Sequence, residues 1–223
     1  ERYKSHTETR ELFSVSSQHY AFVVNAFVSL LKRADMTRYE LFLRETRTYE
    51  IIEDVKNFRS EIGVLFLNGY NRDVLTKMFD DNRLTYTSLF KARPHIFVSK
   101  SNPLAKHKVV SLEDLEDFPY LSYDQGIHNS FYYSEEILSQ IPHKKSIVVS
   151  DRATLFNLLI GLDGYTIATG ILNSNLNGDN IVSIPLDVDD EIDIVYLKHE
   201  KATLSKMGEK FLDNLVKEVT FDN

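Results

Sequence analysis

The chain has no cysteine, only five prolines and eight glycines in 223 residues, and no basic excess. Zero cysteines exclude disulfides and thiolate metal sites, and a reducing cytoplasm is compatible with that. With 26 basic against 33 acidic residues the formal charge is −7. Such a chain gains nothing from counterion release on nucleic acid, so alone it is a poor DNA binder. The basic pieces Lys106–Lys108 and His143–Lys145 are too short for a nucleic-acid face. Long hydrophobic runs are missing too. The longest, Ala21–Leu31, contains Asn25 and Ser29 and is too short to span a bilayer. No secretory signal opens the sequence, and the charged start Glu1–Glu11 reads as a linker remnant or helix tail. Catalytic motifs are lacking: there is no GxSxG, Walker A or GxGxxG run. His6, His19, His95, His107, His143 and His199 form no HExxH-like pattern, and His128 has no partner at metal-ligand spacing. The expectation is therefore no metal, no cofactor and no catalysis. The acidic clusters Glu113–Asp117 and Asp187–Asp193 read as solvated surface.

What is present is a succession of α/β elements in an ordinary soluble composition, 43% hydrophobic. Leu12–Ser16 reads as a strand. Tyr20, Val23, Val24, Phe27, Leu30 and Leu31 then fall at helical spacing with one wide apolar face. Tyr39–Arg44 alternates as a strand, Tyr49–Phe58 reads as a helix, and Ile62–Leu67 is the continuous apolar run of a buried parallel strand. Asp73–Phe79 adds a helix and Tyr86–Lys91 a strand. This β-α-β-α-β-α-β order predicts a mostly parallel sheet with helices on both faces. A second unit follows: strands Tyr120–Tyr123, Ser146–Val149 and Tyr165–Ala168, with helices Ser130–Gln140 and Arg152–Leu162. Ile192–Leu197 reads as a strand returning to the first unit. Leu204, Met207, Phe211, Leu215 and Val219 mark a closing helix. No close internal repeat is visible.

Between the two units, Pro94 separates the runs Tyr86–Lys91 and His95–Ser99, and proline breaks a strand ladder there. A chain crossing between two α/β lobes makes a hinge over a cleft, where a small ligand would sit. Hinge residues are expected at Arg93, Pro94, Ser99 and Leu197. The lobes are expected at residues 12–93 with 198–223, and at 94–197, after a linker remnant at 1–11.

The same stretch closely resembles the effector-binding domain of LysR-type transcriptional regulators. The resemblance rests on Ile96–Val98, Asn102-Pro-Leu-Ala105 and Val109-Val-Ser-Leu-Glu-Asp-Leu115, and Leu12–Val219 can be laid onto the pattern. Gly161–Gly170 resembles the family's glycine-rich helix-to-strand turn. It departs from the usual Gly-Leu-Gly-Ile-Ala run at Asp163 and Tyr165, in the manner of the streptococcal capsule- and methionine-regulator branch. Gly164 is expected to serve a left-handed turn. The resemblance implies a type 2 periplasmic-binding-protein-like α/β fold, two Rossmann-like lobes around a cleft. It further implies a cytoplasmic homodimer or homotetramer without membrane contact. Promoter DNA would be reached only through the regulators' winged helix-turn-helix, which is not in this sequence. The implied effector is a small molecule, an amino acid or related anionic metabolite.

Candidate effector contacts sit at strand C-termini, the edge where open α/β sheets bind ligands. Ser16, Ser17 and Gln18 open the first helix, whose N–H groups and partial positive charge suit a carboxylate. Plain helix capping by the serines is the competing reading. Thr46 and Arg47 precede the second helix, which Thr48 could cap, and Asn68 follows the third strand. Tyr123, Gln125 and His128 would form the second wall, with Thr169 at a strand end. An oligomer interface is expected on Tyr20, Val24, Phe27 and Leu31, against the alternative that this stripe is internal core. Two other functions remain open: a transporter's solute-binding protein of the same fold, and, with less support, an enzyme on a two-lobed scaffold.

Overall fold

A computed structural model describes residues 11–34 and 38–220. The linker expected at residues 1–11 lies outside them except for Glu11, which begins the first strand.

The first lobe contains β1 (Glu11–Ser17), α1 (Ala21–Arg33), β2 (Tyr39–Glu45), α2 (Thr48–Lys56), β3 (Ile62–Leu67), α3 (Arg72–Asp81) and β4 (Leu84–Ala92). The second contains β5 (His95–Ser99), α4 (Leu112–Leu115), β6 (Tyr120–Tyr123), β7 (Ser146–Val149), α5 (Arg152–Leu162), β8 (Tyr165–Ala168), α6 (Ser174–Asn177) and β9 (Ile181–Pro185). The chain then returns through β10 (Ile192–His199) and α7 (Lys206–Thr220).

The first sheet runs β2-β1-β3-β10-β4. β1 pairs parallel with β2 and β3, whereas β10 is antiparallel to both β3 and β4. The four N-terminal strands therefore all point one way, as the βα alternation predicts, with β10 inserted among them. The second sheet, β7-β6-β8-β5-β9, repeats this plan. β6 is parallel to β7 and β8, and β5 is the inserted antiparallel strand. The two lobes are thus a topological repeat that residue identity does not reveal.

The pairing of β10 with β3 and β4 puts Ile192–Leu197 in the first sheet, not in the second lobe where the expected boundary placed them. The return crossing is residues 186–191. Leu197 is consequently an interior residue of a sheet, opposite Gly63 and Tyr86, rather than a hinge. Ser99 lies at the end of β5, away from the crossing, with its hydroxyl on that of Ser101. Arg93 and Pro94 do join the two sheets.

Helices cover both faces of the first sheet. On one face Phe13, Phe27 and Phe211 make an aromatic triad with centroid distances of 5.6–6.2 Å, locking β1, α1 and α7 together. On the other, Ile51, Ile52 and Val55 of α2 and Leu75 and Phe79 of α3 bury against Leu65, Leu67, Val195 and Leu197. β3 is buried at all six positions, which explains its unbroken apolar run. In the second lobe, Leu155 and Leu159 of α5 pack on Phe97, Leu121 and Val149.

The helix expected at Ser130–Gln140 is not formed. That segment makes one 3-10 turn, Phe131–Tyr133, and is otherwise irregular. Some of its polar groups bond to the other lobe, the Tyr133 carbonyl to Thr48 and Glu135 to His19, as described below. The strand Ile181–Pro185 is an element that the sequence reading passed over. Gly164 does not take the left-handed turn; Asp163 does, at φ 52°. Gly164 is needed for space, because a Cβ there would meet Leu121 Cδ1 at 2.4 Å.

Candidate functional site

The C-terminal ends of β1, β3, β6 and β8 face one another across the junction of the lobes. An inner cavity there is lined from lobe 1 by His19, Tyr20, Phe22, Phe66 and Ile192. Lobe 2 contributes Phe97, Tyr123, Glu135, Glu136, Arg152, Leu155, Phe156 and residues 166–169. Its volume is about 40 Å³. Side chains of both lobes close around it.

A polar rim holds them so. Thr48 is its centre. Its backbone N–H, at the start of α2, donates to Gln125 Oε1 at 3.0 Å, and its hydroxyl donates to the Tyr133 carbonyl at 2.7 Å. Gln125 Nε2 donates to Glu135 Oε1 at 3.2 Å. Glu135 in turn accepts from the backbone N–H of His19 and contacts its Nδ1, both at 2.9 Å. Arg152 Nε donates to Glu45 Oε1 at 2.9 Å, and Arg47 pairs with Asp124. Stacked rings add to this: Tyr49 on His128 at 3.6 Å and His19 on Tyr123 at 4.0 Å. Gly126, at φ 63°, lets the Arg47 guanidinium lie against the loop, where a Cβ would sit 2.7 Å from Nη1.

The expected site residues separate into groups on this geometry. Tyr123 and Thr169 line the cavity. Arg47, Gln125 and His128 form the rim. Gln18 is fully engaged, donating to Thr48 Oγ1 and accepting from Tyr20 Oη and the Phe66 N–H. Thr46 donates to Glu50 Oε2, and Ser17 to the Gln18 carbonyl. Asn68 donates to Asp190 Oδ2 on the return crossing and accepts from the N–H groups of Tyr70 and Asn71. Ser16 points away from the cleft. Its hydroxyl donates to Asp54 Oδ2 at 2.7 Å and lies 2.6 Å from that of Ser60. Strand alternation explains this, since adjacent side chains take opposite faces. Residues that sequence reasoning missed are His19, Glu135, Glu136 and Arg152. Their spacing carries no motif, and three of them lie on a loop and a helix end that only the fold brings to the cleft.

On the expected interface stripe, Phe27 is buried in the aromatic triad, whereas Tyr20, Val24 and Leu31 are half-buried. Tyr20 also stacks on Phe22 at 4.6 Å.

Burial opposes charge on His19, but the hydrogen bond and negative charge of Glu135 outweigh it and raise the imidazole pKa. Glu136 is pushed well above the ordinary carboxylate range, first by burial and then by the Glu135 charge. Burial likewise raises the Tyr123 phenol. Asp124 is held low by the Gly126 N–H and by Arg47. Among the described residues, no group of acids and histidines is arranged to hold a metal ion, and no helix is long and apolar enough to cross a membrane.

A family model described as the LysR substrate binding domain matches residues 16–220. Among solved structures, the reduced OxyR regulatory domain from Pseudomonas aeruginosa aligns with TM-score 0.65 at 12% identity, covering 93% of this chain and 98% of that one. The effector-binding domain of QuiR in complex with shikimate aligns with TM-score 0.61 at 16% identity, covering 94% and 97%. HinK, a LysR family transcriptional regulator from Pseudomonas aeruginosa, aligns with TM-score 0.61 at 13% identity, covering 97% and 72%. At these identities the likeness establishes the fold. No curated protein sequence matches the chain.

Proposed function

Since the chain belongs to the LysR substrate-binding-domain family, the ligand-sensing part of LysR-type regulators, we propose that the cleft between its lobes is the effector site. The observation that carries this is the cavity lined by side chains from both lobes, at the C-terminal ends of their strands. A ligand there touches both lobes at once. It can therefore bind one lobe arrangement better than another and shift the population between them.

The effector in this reading is a small metabolite, an amino acid or a related anion. Its acid group would take the place now held by the Gln125 carboxamide on the Thr48 N–H, where the start of α2 favours negative charge. Thr46 and Arg47 precede that position in the chain, Gln18 bonds the Thr48 hydroxyl, His128 stacks on Tyr49, and Tyr123 and Thr169 line the inner cavity. The shift would be read out by an oligomer, a homodimer or homotetramer in the cytoplasm, whose contact includes the half-buried Val24 and Leu31 of α1. The net charge of −7 fits a domain that leaves promoter DNA to a separate winged helix-turn-helix.

The test is a thermal-shift screen of amino acids and small organic acids, followed by calorimetry and a crystal structure with the best hit. A ligand seated between the lobes supports the reading; one seated elsewhere sinks it. Light scattering that returns a monomer at tens of micromolar, an order set by ordinary interface affinities, would remove the oligomer.

A further inference from the structure

The inner cavity ends on one acid that the fold leaves half used. Glu136 is 3% exposed. Its Oε1 accepts from the Tyr123 N–H at 2.9 Å and the N–H groups of Glu135 and of Glu136 itself also act on the carboxyl, while its buried Oε2 has no partner within hydrogen-bond geometry. The other charges at the cavity are matched: His19 with Glu135, and Arg152 with Glu45. Besides Tyr20, Tyr123, Thr166 and Thr169, the remaining wall is mostly apolar, including Phe22, Phe97, Leu155, Phe156 and Ile167. A buried polar atom without a partner costs free energy, and a molecule that supplies the partner recovers it.

We propose that the cavity recognises a protonated amine carried on a small apolar body, with the ammonium group pairing with the Glu136 carboxylate. This rests on the cleft being the effector site, and it names the end of the effector that the inner cavity holds. Anions fit this end poorly, because its one unmatched group is an acid. The cavity of about 40 Å³ is too small for such a body as it stands, so the lobes part to admit it; the apolar walls then hold the body, and the low dielectric strengthens the ion pair.

The proton balance follows. Before binding, the raised carboxyl holds its proton at a pH where an exposed glutamate would have lost it. An arriving ammonium keeps its three protons, the Glu136 carboxyl becomes a carboxylate, and one proton passes to solvent. If the ligand enters as the free amine, it takes the Glu136 proton and the product is the same. Affinity for an amine therefore rises with pH up to the raised pKa of Glu136 and then levels off. The groups facing Glu136 are Tyr20, Tyr120, Tyr123 and Glu135. The phenols of the three tyrosines are all raised, so they stay neutral. Glu135 is tied to His19, whose own deprotonation would also favour a cation. A pH profile alone is therefore not specific, and a variant must isolate Glu136.

The experiment is calorimetry with benzylamine, benzyl alcohol and benzoate, matched in shape, in two buffers of different ionisation enthalpy. Wild type is compared with Glu136→Gln, which keeps the acceptor for the Tyr123 N–H. Benzylamine should bind in the millimolar range or tighter and roughly tenfold or more above the other two, a difference set by one charged hydrogen bond. Its binding should release a proton. Glu136→Gln should lower its affinity by about tenfold or more and abolish the proton release, with the melting temperature little changed. Failure of benzylamine to bind, tighter binding of benzoate, or unchanged benzylamine binding by Glu136→Gln overturns the amine assignment. Benzoate then found between the lobes in a crystal would leave the effector cleft standing, whereas a ligand found elsewhere would remove both.

Discussion

Lobe 1 buries the carboxylic acid of Asp54 and lobe 2 that of Glu136, and the two are treated in opposite ways. In lobe 1, Asp54 is 1% exposed and closes a cage. It accepts from Ser16 Oγ at 2.7 Å and Arg44 Nη1 at 2.6 Å, and pairs with Arg59 Nε at 3.1 Å. In lobe 2, Glu136 has only backbone N–H groups about its carboxyl, those of Tyr123, Glu135 and Glu136, and its Oε2 has no partner within hydrogen-bond geometry. The Asp54 cage joins β1, β2 and the end of α2, so its acid stabilises the fold. Glu136 joins little, and burial raises its pKa. A buried acid whose lone pairs are all used is scaffold. One whose lone pairs are not all used is available to another molecule.

The strongest way to break this contrast is Asp54→Ala. It leaves the buried Ser16 hydroxyl without its carboxylate acceptor, removes the ion pair of Arg59, and leaves Arg44 with Glu50 alone. We expect a loss of about 2–3 kcal/mol, discounted because both arginines reach solvent, measured by urea unfolding. A loss below about 0.5 kcal/mol, the level of an ordinary surface change, would show that the cage is not structural.

Gln125→Ala should cost about 1–2 kcal/mol, since the buried Thr48 N–H loses its acceptor. It should also speed hydrogen exchange at the start of α2. Unchanged exchange there would mean that the rim does not hold the lobes together. Arg47→Ala removes a half-exposed interlobe pair and should cost less than about 1 kcal/mol. If it costs more than Gln125→Ala, the ranking of the rim contacts is reversed.

The smallest effect at neutral pH is expected for Glu136→Gln, within about 1 kcal/mol of wild type; its signature is the pH profile. The folded-state pKa of Glu136 is raised above the unfolded value near 4.5. Between those values the folded state binds more protons, so stability falls as pH rises from about 4.5 through the folded pKa. The variant should lack that falling component. His19, also raised, is present in both proteins, so its share cancels in the difference. Parallel profiles for wild type and variant would show that Glu136 ionises normally.

The two lobes also differ in how legible they were. β3, β5, β6, β7, α5 and β8 match the sequence reading end to end, because an apolar run or a helical stripe is a local signal. Residues 130–140 looked helical by composition, yet they form one short turn. Tyr133, Glu135 and Glu136 spend their polar groups on Thr48, His19 and Tyr123, and no local pattern records such partners. Ser16 and Ser17 were both attractive as anion contacts. The β1 pleat sends Ser16 into the Asp54 cage, and only the sheet decides which of two adjacent serines that is. Phe27 sat on the same stripe as Val24 and Leu31, but α7 arrives from the far end of the chain to cover it.

By itself the sequence determined most of the succession of strands and helices, the division into two α/β units and the family. Those depend on periodicity, on the break at Pro94 and on short contiguous motifs. The tertiary structure alone decided the insertion of β10 between β3 and β4, the closing of the rim on Thr48, and the burial of Glu136 with its Oε2 left without a partner. Each of these depends on which distant polar groups come within bonding distance once the apolar faces are buried, and a buried group's cost or use is set by what it reaches.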